Sequence, residues 1–208
     1  MSMSVLSREN CERLFWLGRY SERVYTGLRD FMEKFDAMTG SPSAGEYAKH
    51  FCFDSNNPDS VSFSLMRAYD NAIVLRDETG TETFSYIQLA VYEMKNAAKS
   101  AAPLLPLQKV IDNIAAFWGM ADDRIEDEKV RGIIKLGKRI ERVDLYARMN
   151  ADKEDIRREV RRLSYRIGRA GLSYSTEGLS RINALAECEE IDRAGIVREV
   201  EALITFAE

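Results

Sequence analysis

Histidine is almost absent from this chain: His50 stands alone among 208 residues. One histidine excludes most histidine-built metal sites and any mechanism that needs a histidine pair. Only four prolines occur, Pro42, Pro58, Pro103 and Pro106, which leaves long stretches free to form uninterrupted helix. The three cysteines, Cys11, Cys52 and Cys188, are odd in number, far apart and without a CxxC spacing. That pattern fits reduced thiols, each read as a small buried hydrophobe, rather than a disulfide framework. No run approaches the ~18 consecutive apolar residues of a membrane span, and residues 1–20 lack the apolar core of a signal peptide. A soluble, cytoplasmic protein is expected.

What remains is a mixed composition. Hydrophobic residues make up 45% and charged residues 31%, with a mean hydropathy of −0.34. This is too apolar for a disordered chain and too polar for a membrane protein. A net charge of −4 argues against a general nucleic-acid binder, whose footprint should be basic. The length suits one domain, or two small ones, and the chain is read as a single domain over residues 1–208.

Apolar residues recur at helical spacing throughout, never with the alternation of strands. Leu14, Leu17, Ser21, Val24, Leu28, Phe31, Phe35 and Met38 form one stripe, with Ser7 as its N-cap, and the stretch 39–45 breaks that helix. Residues 46–53 read as a short helix. Asn57-Pro58-Asp59 reads as the start of a helix whose buried stripe is Val61, Leu65, Ala68, Ala72 and Leu75, with Gly80 as its stop. Two helices follow, through Phe84–Ala98 and Val110–Ala121. The acidic run 122–128 suits the N-terminus of another that reaches about Met149. Asp152 is placed to cap a helix with Ile156, Val160, Leu163 and Ile167 on one face, and residues 173–208 are helical in pattern. No strand is expected. The fold class is therefore all-α, a bundle of about six to eight mostly antiparallel helices.

Within this pattern one motif occurs twice. Residues 14–24, LFWLGRYSERV, align without gaps to residues 133–143, IIKLGKRIERV. The shared pattern is L-G-[RK]-x-x-E-R-V, with Arg29 and Arg148 matching five residues further on. Two copies are too few for a solenoid and point instead to two related helices around a shared feature. At ~100° per residue, Gly18, Glu22, Tyr25 and Arg29 lie on one face, as do Gly137, Glu141, Asp144 and Arg148. Phe15, Tyr25 and Cys11 flank the first copy; Ile134 and Leu145 flank Glu141. Each glutamate thus follows, by one turn, a glycine that leaves a notch in the helix surface.

Two readings of this motif stand. In the structural one, Glu22 pairs with Arg142 and Arg23 with Glu141, and the ion pairs join the two helices. In the functional one, Arg19, Arg23, Arg29, Arg142 and Arg148 form an anion site that the glutamates orient, because the guanidinium fork suits carboxylate and phosphate.

Other constellations are poorer. A carboxylate di-metal bundle wants Glu-x-x-His on two helices, and Glu46 precedes His50 by four residues, so no metal site is expected. Gly18-Arg19 and Gly168-Arg169 are not phosphate loops. Arg157, Arg158, Arg161, Arg162, Arg166 and Arg169 make a ridge diluted by Glu154, Asp155 and Glu159. It reads as a solvated face, or more sharply as a docking surface for an acidic protein or a nucleotide-bearing enzyme.

The combination of motifs resembles the Alpha-E family, an all-helical domain named for its Glu-Arg motif. Residues 15–24 are similar to the family's Y-W-L-G-R-Y-x-E-R-A. Asn57-Pro58-Asp59-Ser60 is similar to N-P-x-S, residues 68–77 to A-R-E-N-A-R-x-V-R-D, and Thr81-Glu82-Thr83-Phe84 to S-E-x-W. The second Glu-Arg copy, within residues 119–143, completes the order over about residues 5–150. Val24 and Val143 replace the usual alanine, Ile73 an arginine and Phe84 a tryptophan. The chain is shorter than typical members, so about 150–208 reads as divergent or reduced. The resemblance implies that Asn71, Arg76 and Asp77 join the two Glu-Arg pairs as site residues. It also implies association with ATP-grasp-type ligases or transglutaminase-like proteins, and hence an accessory or substrate-presenting module in peptide synthesis or protein modification. Two alternatives are an enzyme using Glu22 or Glu141 as general base in an arginine-lined pocket, and a purely structural homodimer; a homo-oligomer is among the partner states left open.

Overall fold

The computed structural model describes residues 6–38, 41 and 43–206. Part of the expected break after Met38, at Thr39, Gly40 and Pro42, lies outside the described residues. Among those described there are ten α-helices and almost no strand. They fall into two compact units, Met1–Arg19 with Glu128–Glu208, and Tyr20–Asp127. Helix α1 (Arg8–Ala37) contributes residues to both. Its start is held by Ser7, whose Oγ accepts the Asn10 amide at 3.0 Å.

The unit spanning Tyr20–Asp127 contains the remainder of α1, α2 (Ala44–Tyr47) and a π-helical segment (Ala48–Phe53). It continues with α3 (Val61–Val74), α4 (Arg76–Thr79), α5 (Thr81–Lys99) and α6 (Leu104–Arg124). The rings of Phe31, Tyr47 and Phe51 stack at 5.5–6.0 Å between centroids and tie the π-helical segment to α1. His50 lies exposed on that segment. The short link after α5 folds α6 back along it, and Ile87, Val91, Ile114 and Phe117 are buried on the two helices. On α1, Ser21 Oγ accepts Trp118 Nε1 at 3.0 Å.

Pro58 does not open α3. It lies in the preceding turn, and Ser60 is the cap: its Oγ accepts the Phe63 amide at 3.0 Å while its hydroxyl donates to the Asp54 carbonyl at 2.5 Å. A hydroxyl that can satisfy both the helix end and the turn outcompetes a proline at the first helical position. The expected stripe from Val61 to Leu75 is buried. Gly80, at φ 84°, forms the corner between α4 and α5.

The other unit holds the first part of α1 with α7 (Glu128–Arg148), α8 (Lys153–Arg166), α9 (Thr176–Glu187) and α10 (Arg193–Glu201). Ile133, Ile140, Ile156, Val160, Leu163, Ile182 and Ile196 are buried in its core. Asn150, at φ 55°, turns the chain between α7 and α8, and its short amide tolerates the left-handed region. Two strands occur where none was expected: β1 (Ser173–Tyr174) pairs antiparallel with β2 (Ile204–Thr205). Two residues are too few to show alternation, so a sequence pattern cannot reveal them.

The ten helices exceed the expected six to eight for a similar reason. α2 and α4 are single turns, too short for a period to register. The segment 173–208 divides at residues 188–192, not at its glycines. Gly178 and Gly195 lie three residues after Ser175 and Asp192, whose side chains accept their amides at 2.9 and 2.8 Å. The glycines therefore mark helix starts. The acidic run also divides: Asp122 and Asp123 end α6, and only Glu128 opens α7. Asp152 sits at the N-cap of α8 without a side-chain capping bond. Cys11 and Cys52 are buried, but Cys188 is exposed, because it follows the last turn of α9.

Candidate functional site

The second copy of the repeated motif lies wholly in the unit that contains α7, and the first copy reaches that unit as far as Arg19. There the two copies meet backbone to backbone. A Cβ on Gly18 would overlap the Ile134 carbonyl oxygen and lie 3.0 Å from both Ile134 C and Lys138 N. A Cβ on Gly137 would overlap the Phe15 carbonyl oxygen, 3.0 Å from Phe15 C and 3.2 Å from Arg19 N. Phe15 and Ile134 occupy equivalent places in the two copies, so each glycine receives the carbonyl three residues before its counterpart. The repeat builds a reciprocal crossing, an intramolecular version of an isologous contact. The notch inferred from the glycines is filled by a neighbouring helix.

Arg19 follows Gly18 and is carried into the same junction, where it is 6% exposed. Its Nε donates to Glu141 Oε2 at 2.5 Å and its Nη2 to Asp144 Oδ2 at 3.2 Å. Its guanidinium carbon lies 4.9 Å from the Trp16 ring centroid and 6.0 Å from that of Phe15. Asp144 Oδ1 in turn accepts Arg148 Nε at 2.8 Å, and Arg148 Nη2 reaches Glu201 Oε1 on α10 at 2.6 Å. Charges thus alternate along a ladder from Glu141 through Arg19, Asp144 and Arg148 to Glu201.

The ladder grades from dry to wet. Glu141 has no exposed surface, whereas Arg148 and Glu201 are exposed. Burial, reinforced by the neighbouring Glu141, raises the Asp144 carboxyl above its ordinary value, while Arg148 and Arg19 oppose the shift. Arg148 is raised through Asp144 and Glu201 against its own partial burial. Arg19 is spanned by two carboxylates and aromatic rings, so its fork is already used by the protein itself.

Within this unit Glu141 accepts Arg19, the residue that follows the motif glycine. Arg142 is half-buried on α7. The remaining expected site residues lie in the other unit. Glu22 has no exposed surface and accepts the Thr26 hydroxyl at 2.8 Å. Arg23 lies over the Tyr20 ring and exposed Arg29 over that of Tyr25. Asn71 donates to the Arg67 carbonyl at 3.0 Å, a local bond on α3. Arg76 and Asp77 are exposed on α4, with Arg76 Nε donating to Thr81 Oγ1 at 3.1 Å. Two ladder members were not among the expected site residues. Asp144 was visible on the face of Glu141, three residues on; Glu201 carried no local signal.

Among the described residues, no group of three or more His, Cys, Asp or Glu side chains is arranged to hold a metal ion. Nor is any helix among them long and apolar enough to cross a membrane.

One family model matches: Alpha-E, described as a predicted alpha-helical domain with a conserved ER motif, over residues 26–167. That stretch includes Asn71, Arg76, Asp77 and Glu141-Arg142, and begins after Glu22-Arg23. No curated protein and no solved structure matches the chain.

Proposed function

The chain belongs to the Alpha-E family, and from that premise we propose that it is a helical accessory module of an ATP-grasp-type peptide ligase or protein-modification system. It presents a surface to its partner, and the Arg19–Glu141–Asp144 ladder is the spine that sets that surface. One observation carries this reading: the motif crossing is closed. Gly18 and Gly137 leave no room even for a methyl group, and Glu141 is fully buried against Arg19. A carboxylate in that position orders helices more readily than it meets a substrate.

A second reading, general-base chemistry by a motif carboxylate, draws on the raised pKa of Asp144 beside Glu141. Gentle purification of the native protein, with identification of what co-elutes, separates the two when combined with Glu22→Gln and Glu141→Gln. The accessory reading expects an ATP-dependent ligase or transglutaminase-like protein to co-elute, and its retention to fall with each variant's folded fraction. The absence of any such partner, with the variants changing stability alone, sinks it. A homo-oligomer with no other partner supports the purely structural reading instead.

A further inference from the structure

The arginine ridge of α8 is not one surface. Arg157 turns away to bond the carbonyls of Ala186 and Cys188 at the end of α9, each at 3.0 Å. Arg169 is taken by Tyr165, whose hydroxyl accepts its Nη2 at 2.7 Å. The other four ridge arginines line an open groove of about 520 Å³ with Tyr165 and with Arg139 of α7, which sequence spacing did not connect to them. Its volume lies within the ~300–1,000 Å³ of small-molecule sites.

The groove has a buried anchor. Glu159, 1% exposed, accepts Arg139 Nη1 at 2.7 Å through Oε2 and Arg162 Nη1 at 2.6 Å through Oε1. One carboxylate therefore fixes two guanidinium groups from different helices, and each keeps further N–H donors for another acceptor. Among the described residues Arg158 is held by half-buried Asp155 at 2.5 Å and Arg161 by exposed Glu187 at 3.1 Å. Such pairs exchange readily for a better anion. Among the described residues Arg166 has no carboxylate partner. Five arginines thus face three carboxylates, a local positive charge in a protein whose net charge is −4.

We propose that this groove binds a phosphoryl-bearing small anion carrying two or more phosphate groups, as free polyphosphate or as the tail of a nucleoside diphosphate. All the cations are arginine, whose planar fork meets phosphate oxygens bidentately. Several converge within one small volume, which matches a compact multivalent anion better than the spaced carboxylates of a peptide. Tyr165 is exposed at the groove; Arg169 lies over one side of its ring at 4.3 Å from the centroid, and the opposite face is where a nucleobase would stack. The inference is independent of the ligase reading.

Titration calorimetry on the full chain with tripolyphosphate, pyrophosphate and ADP tests it. Arg158→Ala with Arg166→Ala removes two exposed arginines without touching Glu159. That variant should keep the wild-type melting temperature and lose about tenfold or more in tripolyphosphate affinity. Tighter binding of ADP than of pyrophosphate, abolished by Tyr165→Ala, assigns the nucleotide source; equal binding assigns free polyphosphate. Undiminished affinity in the double variant, no binding of any probe at millimolar concentration, or tighter binding of a hexaglutamate peptide than of tripolyphosphate overturns the proposal.

Discussion

Replacing Gly137 by alanine puts two opposing effects in direct competition. On helix propensity alone, alanine at an interior position stabilises by ~1 kcal/mol relative to glycine. At Gly137, however, the new methyl group lands on the Phe15 carbonyl, which is backbone and cannot rotate aside. Overpacking of this kind costs ~1–3 kcal/mol. Relief requires the two helices to separate, and that strains the 2.5 Å contact of Arg19 with Glu141, a buried pair worth ~3–5 kcal/mol when one partner is lost.

A partial loss of that pair plus overpacking, less the propensity gain, leaves a net destabilisation of about 2–4 kcal/mol. For a chain of this length that lowers the melting temperature by about 4–16 °C. Gly18→Ala should behave alike, because its clash with Ile134 is the mirror of the first. One displacement relieves both clashes, so the double variant should cost clearly less than the sum of the singles. Gly119→Ala is the control: the residue lies in α6 with nothing within 4 Å of a new Cβ, and it should stabilise by up to ~1 kcal/mol. Urea denaturation followed by far-UV circular dichroism measures all four variants. Stabilisation by Gly137→Ala, or strict additivity in the double variant, would refute the reciprocal crossing.

Further expectations follow from the ladder and the thiols. Arg19→Met strands two buried carboxylates and should cost about 3–5 kcal/mol, whereas Arg148→Ala, at an exposed end, should cost about 0–1 kcal/mol; equal costs by denaturant titration would contradict the dry-to-wet gradient. Because the Asp144 carboxyl is raised above 3.8 in the folded state, that state binds its proton more tightly than the unfolded chain does. Its contribution is present below 3.8 and is lost as pH rises through the raised value. The stability of wild type relative to Asp144→Asn should therefore fall from acid toward neutral pH, and a flat or rising difference would exclude that environment. Among the thiols, Cys188 is exposed, Cys11 buried, and Cys52 buried with its thiol pushed up to about 12. A disulfide reagent should thus modify one thiol quickly in the native protein and all three after denaturation; rapid native loss of two would place Cys11 or Cys52 within reach of solvent.

The legibility of this protein depends on how far apart cooperating residues are. The stripes at Leu14–Phe31, Val61–Leu75 and Ile156–Ile167 are buried as their spacing required, since period and burial are two views of the same helix face, whereas Phe35 and Met38, at the end of the first stripe, are only half-buried. Single turns such as α4, and the two-residue strands, escape because they contain no full period. Cap identity escaped at Pro58, where Ser60 satisfies two backbone groups at once.

The amino-acid sequence by itself determined the all-helical class, the repeated Gly–Glu–Arg face and the family to which the chain belongs. Each is written in neighbouring residues and in the 3.6-residue period. Only tertiary structure decided that Gly18 and Gly137 serve a reciprocal crossing, that Glu141 holds Arg19, and that Arg139 joins the α8 arginines around Glu159. These depend on the packing of helices more than a hundred residues apart, or on different faces of the core. The scarcity of histidine could say only that charge chemistry rests on carboxylates and guanidinium groups. Which of them meet is set by where the helices touch.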